Sequence, residues 1–189
     1  MQPDKEVRHL SRAELEAGLD HVRQAPKDAG TLTLIVRRPR VDARDVLDAG
    51  QLDVAGGLVG DTWRSRQSGR TFEGEPHPDM QLNVMGARAI ALIAPDKTRW
   101  PLAGDQLFLD MDLSEENLPP GTRLALGTAV IEVTDQPHTG CGKFVARYGV
   151  DAMKLVNSPV GRTLRLRGLN ARVVQSGVIR TGDLARKQA

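Results

Sequence analysis

Cys141 is the only cysteine of the chain and lies in the stretch PHTGCGKF, residues 137–144. A thiolate is a nucleophile and a soft metal ligand, and a nearby cation or helix N-terminus lowers the pKa of a thiol. Lys143 and Arg147 follow the cysteine and His138 precedes it. A helix predicted from Lys143 onward would direct its first amide groups toward the sulfur. The pattern therefore indicates a reactive thiol or a metal ligand.

Two other interpretations of Cys141 stay open at this point. Free cysteine is among the most often buried residues, so Cys141 is equally compatible with a small, inert core side chain. A cysteine hydrolase would need a positioned imidazole, and the histidines of the chain are His9, His21, His77 and His138. Two of these belong to the N-terminal helical segment, and His138 is too near in sequence to be assumed in place.

A second candidate site is the run of arginines in GRTLRLRGLNAR, residues 161–172. A strand predicted over residues 163–167 places two leucines on one face and Arg165 and Arg167 on the other. Hydrogen-bond donors of this kind suit a phosphate or another anion. Further donors in or next to the same stretch are Arg162, Asn170 and Arg172. The alternative is the solvated outer face of a sheet, which is the commoner role of an alternating strand.

Composition excludes several classes of protein. The 189 residues carry a net charge of +2, so nothing indicates a nucleic-acid partner. A single cysteine excludes an internal disulfide and cannot alone build a structural zinc site, which needs four ligands. The chain has no signal-peptide pattern and no apolar run of about 18 residues. We therefore expect no membrane partner and a cytoplasmic location, where a free thiol persists.

The remaining pattern is one of short strands separated by turns. A helix is predicted after Ser11, which can form a capping box with Glu14, and it ends at Pro26. The first strand is predicted over residues 31–39, and the many short strands that follow favour a barrel or sandwich. We expect a mainly β fold with a few short helices: a helical arm, residues 1–30, packed on a barrel domain, residues 31–189.

Other local signals mark elements within this domain. GARAIALIA, residues 86–94, predicts a short helix, and Gly127 separates two predicted strands within residues 121–137. Gly149 separates two predicted short helices, the second of which ends before Pro159. Residues 64–81 predict a long polar loop, and loops beyond about 12–15 residues are usually functional or disordered.

Several stretches, taken in order, resemble the MOSC domain, the family named for the C-terminal part of molybdenum cofactor sulfurases and also found as stand-alone proteins. They are GLVGDTW at 57–63, EENL at 115–118, GTRLALGTAVIEVTDQP at 121–137 leading into Cys141 and Lys143, and LNARVVQSGVIRTGD at 169–183. Together they span most of residues 32–183. The order and spacing of the pieces carry the resemblance, because each piece alone is common.

The resemblance implies a closed β-barrel of the pyruvate-kinase β-barrel type, and a cysteine that carries sulfur or binds molybdenum beside molybdopterin. On this basis Cys141 is the expected molybdenum ligand, and Cys141, His138 and Lys143 are the expected catalytic residues. The expected cofactor-binding residues are Asn117, Lys143, Arg147, Arg165, Arg167 and Asn170. Pyridoxal phosphate is sometimes associated with the family, but no residue here supports it.

The chain departs from its relatives at two places. Many stand-alone members have an arginine and a second proline just before the cysteine, where this chain has His138 in PHTGC. They also often have a His-Gly-Gly loop where this chain has EPHPDMQL, residues 75–82. Contacts to a cofactor or ligand near His138 and along residues 74–81 are therefore expected to differ from those of the family.

Three functions are compatible with these observations. The first is a molybdenum-cofactor oxidoreductase that reduces a small N-hydroxylated substrate; no flavin, haem or iron-sulfur pattern is present, so a separate protein would donate the electrons. The second is a sulfur-carrier or cofactor-handling module that receives a persulfide on Cys141 from a sulfur donor and has no turnover of its own. The third is a small-molecule-binding barrel whose cysteine is buried and inert.

Overall fold

The structure is a computed structural model, and it describes residues 7–65, 71–72 and 75–188. The strands are β1 (Ala29–Arg37), β2 (Asp45–Leu47), β3 (Ala49–Asp53), β4 (Gly57–Leu58), β5 (Thr71–Phe72), β6 (Glu75–Pro76), β7 (Leu82–Gly86), β8 (Leu107–Asp110), β9 (Arg123–Leu126), β10 (Ala129–Val133), β11 (Leu169–Gln175), β12 (Gly177–Arg180) and β13 (Leu184–Lys187). The α-helices are α1 (Arg12–Ala17), α2 (Leu19–Arg23), α3 (Ala87–Ile93), α4 (Gly142–Tyr148), α5 (Val150–Val156) and α6 (Pro159–Thr163).

Seven strands close into a barrel in the order β13, β9, β10, β11, β7, β8 and β1, and β1 pairs back onto β13. Every pair in the ring is antiparallel except β7 with β8. A parallel pair needs a crossover connection, which here contains the predicted helix α3 and a 3-10 helix, Lys97–Ala103. The expectation of a mainly β protein with a closed barrel and a few short helices is confirmed.

Apolar side chains form two clusters, one inside the barrel and one between the barrel wall and the helices. Strand β8 contributes to both, because successive side chains of a strand point to opposite faces. Leu107 and Leu109 lie in the barrel interior, whereas Phe108 belongs to the outer cluster, which also contains Tyr148 of α4. The outer cluster therefore fixes α4, and with it the segment around Cys141, against the barrel.

The N-terminal segment shows the predicted capping box. The side chain of Ser11 accepts from the amide of Glu14, and the Glu14 carboxylate accepts from the amide of Ser11. The single predicted helix is divided into α1 and α2 at Gly18. Leu15 of α1 is fully buried, and the amide of Arg12 donates to Asp151 of α5, so the segment packs against the helical layer outside the barrel.

The strand predicted over residues 163–167 is wrong. Ser158 caps a helix and Pro159 occupies its first turn, where proline is well tolerated, so this segment forms α6 instead. A turn follows in which Arg165 adopts a φ of 46°, and the strand β11 begins only at Leu169. Arg167 is buried and so does not belong to a solvated sheet face.

The long loop predicted over residues 64–81 contains local structure in its described residues. The short strands β5 and β6 pair with each other, and a 3-10 helix covers Pro78–Met80. Residues 66–70 and 73–74 lie outside the described residues. Within residues 7–65, 71–72 and 75–188, no helix has the length and apolar character needed to cross a membrane.

Candidate functional site

Cys141 lies on the surface, at the N-cap of α4. Its carbonyl oxygen accepts from the amide of Phe144, whereas its side chain makes no capping hydrogen bond. A Cβ atom at Gly142 would meet nothing within 4 Å, so the space beside the thiol is open. A Cβ atom at Gly140 would lie 2.4 Å from the Met153 sulfur, so this glycine serves packing. The exposed thiol contradicts the interpretation of Cys141 as a buried core residue.

The loop before Cys141 is held from behind by Asn170 of β11. The Asn170 amide nitrogen donates to the carbonyl oxygens of Gln136 and Pro137, at 3.1 and 3.3 Å. Its side-chain oxygen accepts from the Asn83 amide at 2.7 Å. Asn170 is fully buried, and both ends of its side-chain amide are hydrogen-bonded, the nitrogen to this loop and the oxygen to Asn83.

The same network continues into the barrel wall. Asn83 accepts from Arg38 at 3.0 Å, and Arg38 forms a paired interaction with both oxygens of Asp61, at 2.7 and 2.8 Å. Arg38 and Asp61 are both buried, and a buried charge requires such a partner. Asp61 is the aspartate of GLVGDTW, so this stretch supports the cysteine-bearing loop through three intervening side chains.

Next to this network, His138 forms a buried hydrogen-bonded group with the ion pair of Asp105 and Arg167. Nε2 of His138 lies 2.7 Å from one Asp105 oxygen, and Nη1 of Arg167 lies 2.7 Å from the other. Arg167 also donates to the Ala103 carbonyl oxygen and lies over the Phe144 ring, 5.2 Å from its centroid. Phe144 belongs to α4, so this group joins the helix that begins at Cys141 to the barrel.

Burial and charge shift the pKa values of this group. Burial alone would raise the pKa of Asp105, but the charges and hydrogen bonds of Arg167 and His138 outweigh it and lower the pKa to about 2. Burial and the nearby Arg167 lower the pKa of His138, and Asp105 offsets part of that effect. Asp105 is therefore ionised and His138 neutral near pH 7.

A cleft of about 390 Å³ opens beside His138. Its wall includes Arg162, Arg165, Arg167 and the segment from Thr134 to Thr139. Arg165 donates to the Leu118 carbonyl oxygen at 2.6 Å, and burial lowers its pKa. Cys141 is not a lining residue of the cleft, but it follows Thr139 by two residues, so the Cα atoms of Cys141 and Thr139 are at most about 7 Å apart.

Lys143 and Arg147 form a separate charged group on the outer face of α4. Both contact Asp42, at 3.1 and 3.4 Å. The hydrogen bond and charge of Lys143, with a smaller contribution from Arg147, lower the pKa of Asp42. Neither cation lines the cleft that contains His138, so the two cations predicted next to Cys141 lie together at Asp42, outside the cleft wall.

Asn117 is a positioning residue for its own loop. Its amide nitrogen donates to the carbonyl oxygens of Lys27 and Asp112, and its side-chain oxygen accepts from Lys187. Arg172 is likewise engaged on the barrel exterior, where it contacts Glu132 and Asp79. The structure thus brings His138, Arg165 and Arg167 together at one cleft and places Asn117 and Arg172 outside its wall.

Sequence reasoning missed Asp105, Asp61, Arg38 and Asn83. Their partners are distant in sequence: Asp105 is 33 residues from His138, and Asn83 is 87 residues from Asn170. The one available signal was the charged residue in GDQ, directly before the apolar strand β8, since a carboxylate at the edge of a core needs a cation. Nothing local identifies which cation that is.

The cysteine-hydrolase interpretation gains no support. In the part of the chain that the structure describes, no imidazole forms a hydrogen bond to the thiol of Cys141. Nε2 of His138, the nearest histidine in sequence, is bonded to Asp105. A nucleophilic cysteine of that kind needs an imidazole within hydrogen-bond reach.

Comparison with solved structures identifies the architecture. YuaD from Bacillus subtilis matches with a TM-score of 0.55 and 16% identity over 85% of this chain and 97% of YuaD. The chain has the fold of YuaD and YiiM. YiiM from Escherichia coli gives 0.55 and 19% over 84% of this chain and 70% of YiiM, and YiiM from Geobacillus stearothermophilus gives 0.57 and 16% over 85% and 75%. No protein-family model and no curated protein sequence matches the chain.

Proposed function

We propose that this chain is a MOSC-domain protein that binds molybdenum cofactor through Cys141 and reduces small N-hydroxylated compounds. The observation that carries the proposal is the exposed thiol of Cys141 at the start of α4, two residues after Thr139 in the wall of a cleft that arginines and His138 also line. The family is supported by fold, since YuaD and YiiM are MOSC-domain proteins, and by the ordered stretches that resemble that family.

The residues present fit a metal that arrives with an organic cofactor. Among the described residues, no group of three or more His, Cys, Asp or Glu side chains is arranged to hold a metal ion. Cys141 therefore supplies a single soft ligand, and the remaining ligands would come from the pterin. The open space at Gly142, where a Cβ atom would meet nothing within 4 Å, leaves the approach to Cys141 free on that side.

The cleft provides binding groups for an anionic or polar ligand. Arg162 and Arg165 lie in its wall, and guanidinium groups suit phosphate. Arg167 is held by Asp105 and Ala103, but its Nε atom is buried and has no hydrogen-bond partner among the described residues. An unpartnered buried donor beside a cleft favours a ligand that the protein alone does not provide.

When bound, the cofactor supplies two-electron redox chemistry at molybdenum. Reduction of an N-hydroxylated compound consumes two electrons and two protons, breaks the N–O bond and releases the oxygen as water. The electrons come from a separate electron-donor protein and the protons from solvent. The chain's own residues bind and orient the substrate in the cleft, and the Asp105–His138 pair keeps a neutral imidazole at its wall.

The enzymatic proposal is tested with protein from a host that synthesises molybdenum cofactor. Reduced viologen is supplied as the electron donor, with N-hydroxybenzamidine as substrate and formation of benzamidine as the readout. We expect turnover by the wild-type protein, loss of turnover in Cys141→Ala, and retention in Val150→Ala, a matched truncation at an exposed position of α5. Equal turnover in Cys141→Ala and wild type would contradict the role of the thiol.

A second candidate function is favoured by the same exposure of Cys141, because a sulfur carrier must offer its thiol to other proteins. In this case a cysteine desulfurase would load a persulfide onto the cofactor-free protein. Intact mass would increase by about 32 Da, located on the Cys141 peptide and reversed by a thiol reductant. The adduct without bound molybdenum or turnover would favour this function over the reductase.

A further inference from the structure

His138 presents two ring nitrogens to two different environments. Nε2 points into the protein interior, 2.7 Å from the fully buried carboxylate of Asp105. His138 is one of the residues that line the cleft, and its side chain is 12% exposed. An imidazole in this position can link the buried Asp105 carboxylate to a ligand in the cleft.

The carboxylate decides which nitrogen carries the proton. Ionised Asp105 can only accept hydrogen bonds, and its other oxygen already accepts from Arg167 at 2.7 Å. Nε2 of His138 must therefore donate. In a neutral imidazole the second nitrogen, Nδ1, then has no hydrogen and carries a lone pair.

Nδ1 is available to a ligand. It has no hydrogen-bond partner among residues 7–65, 71–72 and 75–188. The His138 side chain is 12% exposed, and Nδ1 is not one of the two buried side-chain polar atoms that lack a partner in the same residues, Thr62 Oγ1 and Arg167 Nε. The cleft is the open space that His138 borders, and a lone pair there accepts a hydrogen bond from an O–H or N–H group.

The charges around the ring favour this neutral form. Arg167 and Arg38 both act against protonation of His138, whereas Asp105 acts for it. The charged residues that share the cleft wall are Glu115, Asp135, Arg162, Arg165 and Arg167. Cations exceed carboxylates in this set, so the cleft itself does not promote an imidazolium.

We propose that Asp105 is a positioning residue that holds His138 in the Nε2–H form, so that Nδ1 accepts a hydrogen bond from the hydroxyl group of a ligand in the cleft. Arg167 keeps the Asp105 carboxylate in place. The assignment of a hydroxyl-bearing ligand rests on the proposed function. The tautomer and the role of Asp105 depend only on the residues of this chain.

Nitrogen-15 spectra of the histidine imidazoles test the tautomer without any cofactor. At pH 7 we expect His138 to show a protonated Nε2 and an unprotonated Nδ1, with exposed His21 as an internal reference. In Asp105→Asn, whose amide can donate or accept, we expect a population with the proton on Nδ1. Asp135→Asn removes an exposed carboxylate from the same cleft and should leave the tautomer unchanged. An Nδ1–H tautomer in the wild-type protein, or an unchanged tautomer in folded Asp105→Asn, would overturn the proposal.

Ligand titration tests the role of Nδ1 and remains decisive if Asp105→Asn does not fold. N-hydroxybenzamidine should shift the Nδ1 resonance of His138. Its O-methyl ether has the same charge but lacks the O–H donor, and should shift that resonance much less. Equal shifts, or none with either compound, would overturn the acceptor role. If His138 shows the expected tautomer but the protein has no turnover, the reductase function is rejected and the positioning role of Asp105 is retained.

Discussion

Replacement of Asp105 by asparagine is the most informative perturbation of the buried site, because it keeps the shape and removes the charge. Asp105 is completely buried between His138 and Arg167, and the Arg167 side chain is only 8% exposed. Removing one partner of a buried ion pair leaves the other charge uncompensated and costs about 3 kcal/mol or more. We expect Asp105→Asn to lower the free energy of unfolding at pH 7 by about that amount.

The pH dependence provides a second magnitude. The pKa of Asp105 falls from its ordinary 3.8 to about 2 in the folded protein, a difference that contributes about 2 kcal/mol to folding at neutral pH. Because the folded-state pKa is the lower one, this contribution is present above about pH 4 and is lost as the pH falls toward 2. In Asp105→Asn, this part of the decrease in the free energy of unfolding at low pH should disappear.

The assay is denaturant unfolding of wild type, Asp105→Asn and Asp20→Asn at a series of pH values. Asp20 pairs with Arg23 on the surface, and exposed ion pairs contribute little, so this control should unfold like the wild type. If Asp105→Asn lowers the free energy of unfolding at pH 7 by less than about 1 kcal/mol, the buried carboxylate does not have the expected role. The same conclusion would follow if its free energy of unfolding fell with decreasing pH as steeply as that of the wild type.

Two further predictions concern the elements that position the site. Gly127→Ala would place a Cβ atom 2.3 Å from the Val178 carbonyl oxygen, whereas a Cβ atom at Gly121, also at positive φ, would meet nothing within 4 Å. Calorimetry should therefore show Gly127→Ala to be less stable than Gly121→Ala by about 2 kcal/mol or more. Equal losses of stability in the two variants would contradict the close approach at Gly127. Asn170→Ala removes the donor to the loop before the cysteine and should cost about 2 kcal/mol while increasing the rate at which a thiol reagent labels the protein. Asn157→Ala, whose side-chain amide donates to the Met153 sulfur, should leave both measurements near wild type, and an unchanged labelling rate in Asn170→Ala would count against its positioning role.

Local signals in the sequence were sufficient to predict much of the fold. The capping box of Ser11 and Glu14, the strands on either side of Gly127 and the helices on either side of Gly149 are all present. Each depends on a few neighbouring residues, such as a cap or a glycine at positive φ. The strand expected over residues 163–167 was wrong because Ser158 and Pro159 start a helix that overrides the alternation of leucine and arginine.

The site was predictable only in part, because its contacts depend on closure of the barrel. The surface position of Cys141 at a helix start agrees with its glycine-rich and basic surroundings. The pairing of Asp105 with His138 and Arg167 requires the segment before β8 and the turn before β11 to lie side by side. The order of strands in the barrel brings these two segments together, and the spacing of residues along the chain does not predict it.

The central claim, that Cys141 binds molybdenum cofactor, is tested most directly by metal and pterin analysis of protein made in a cofactor-synthesising host. The wild-type protein should contain molybdenum and pterin in nearly one-to-one ratio with the chain. Cys141→Ala should lose the molybdenum, and Val150→Ala should keep it. Wild-type protein without molybdenum, or a Cys141→Ala variant that retains it, would contradict the claim.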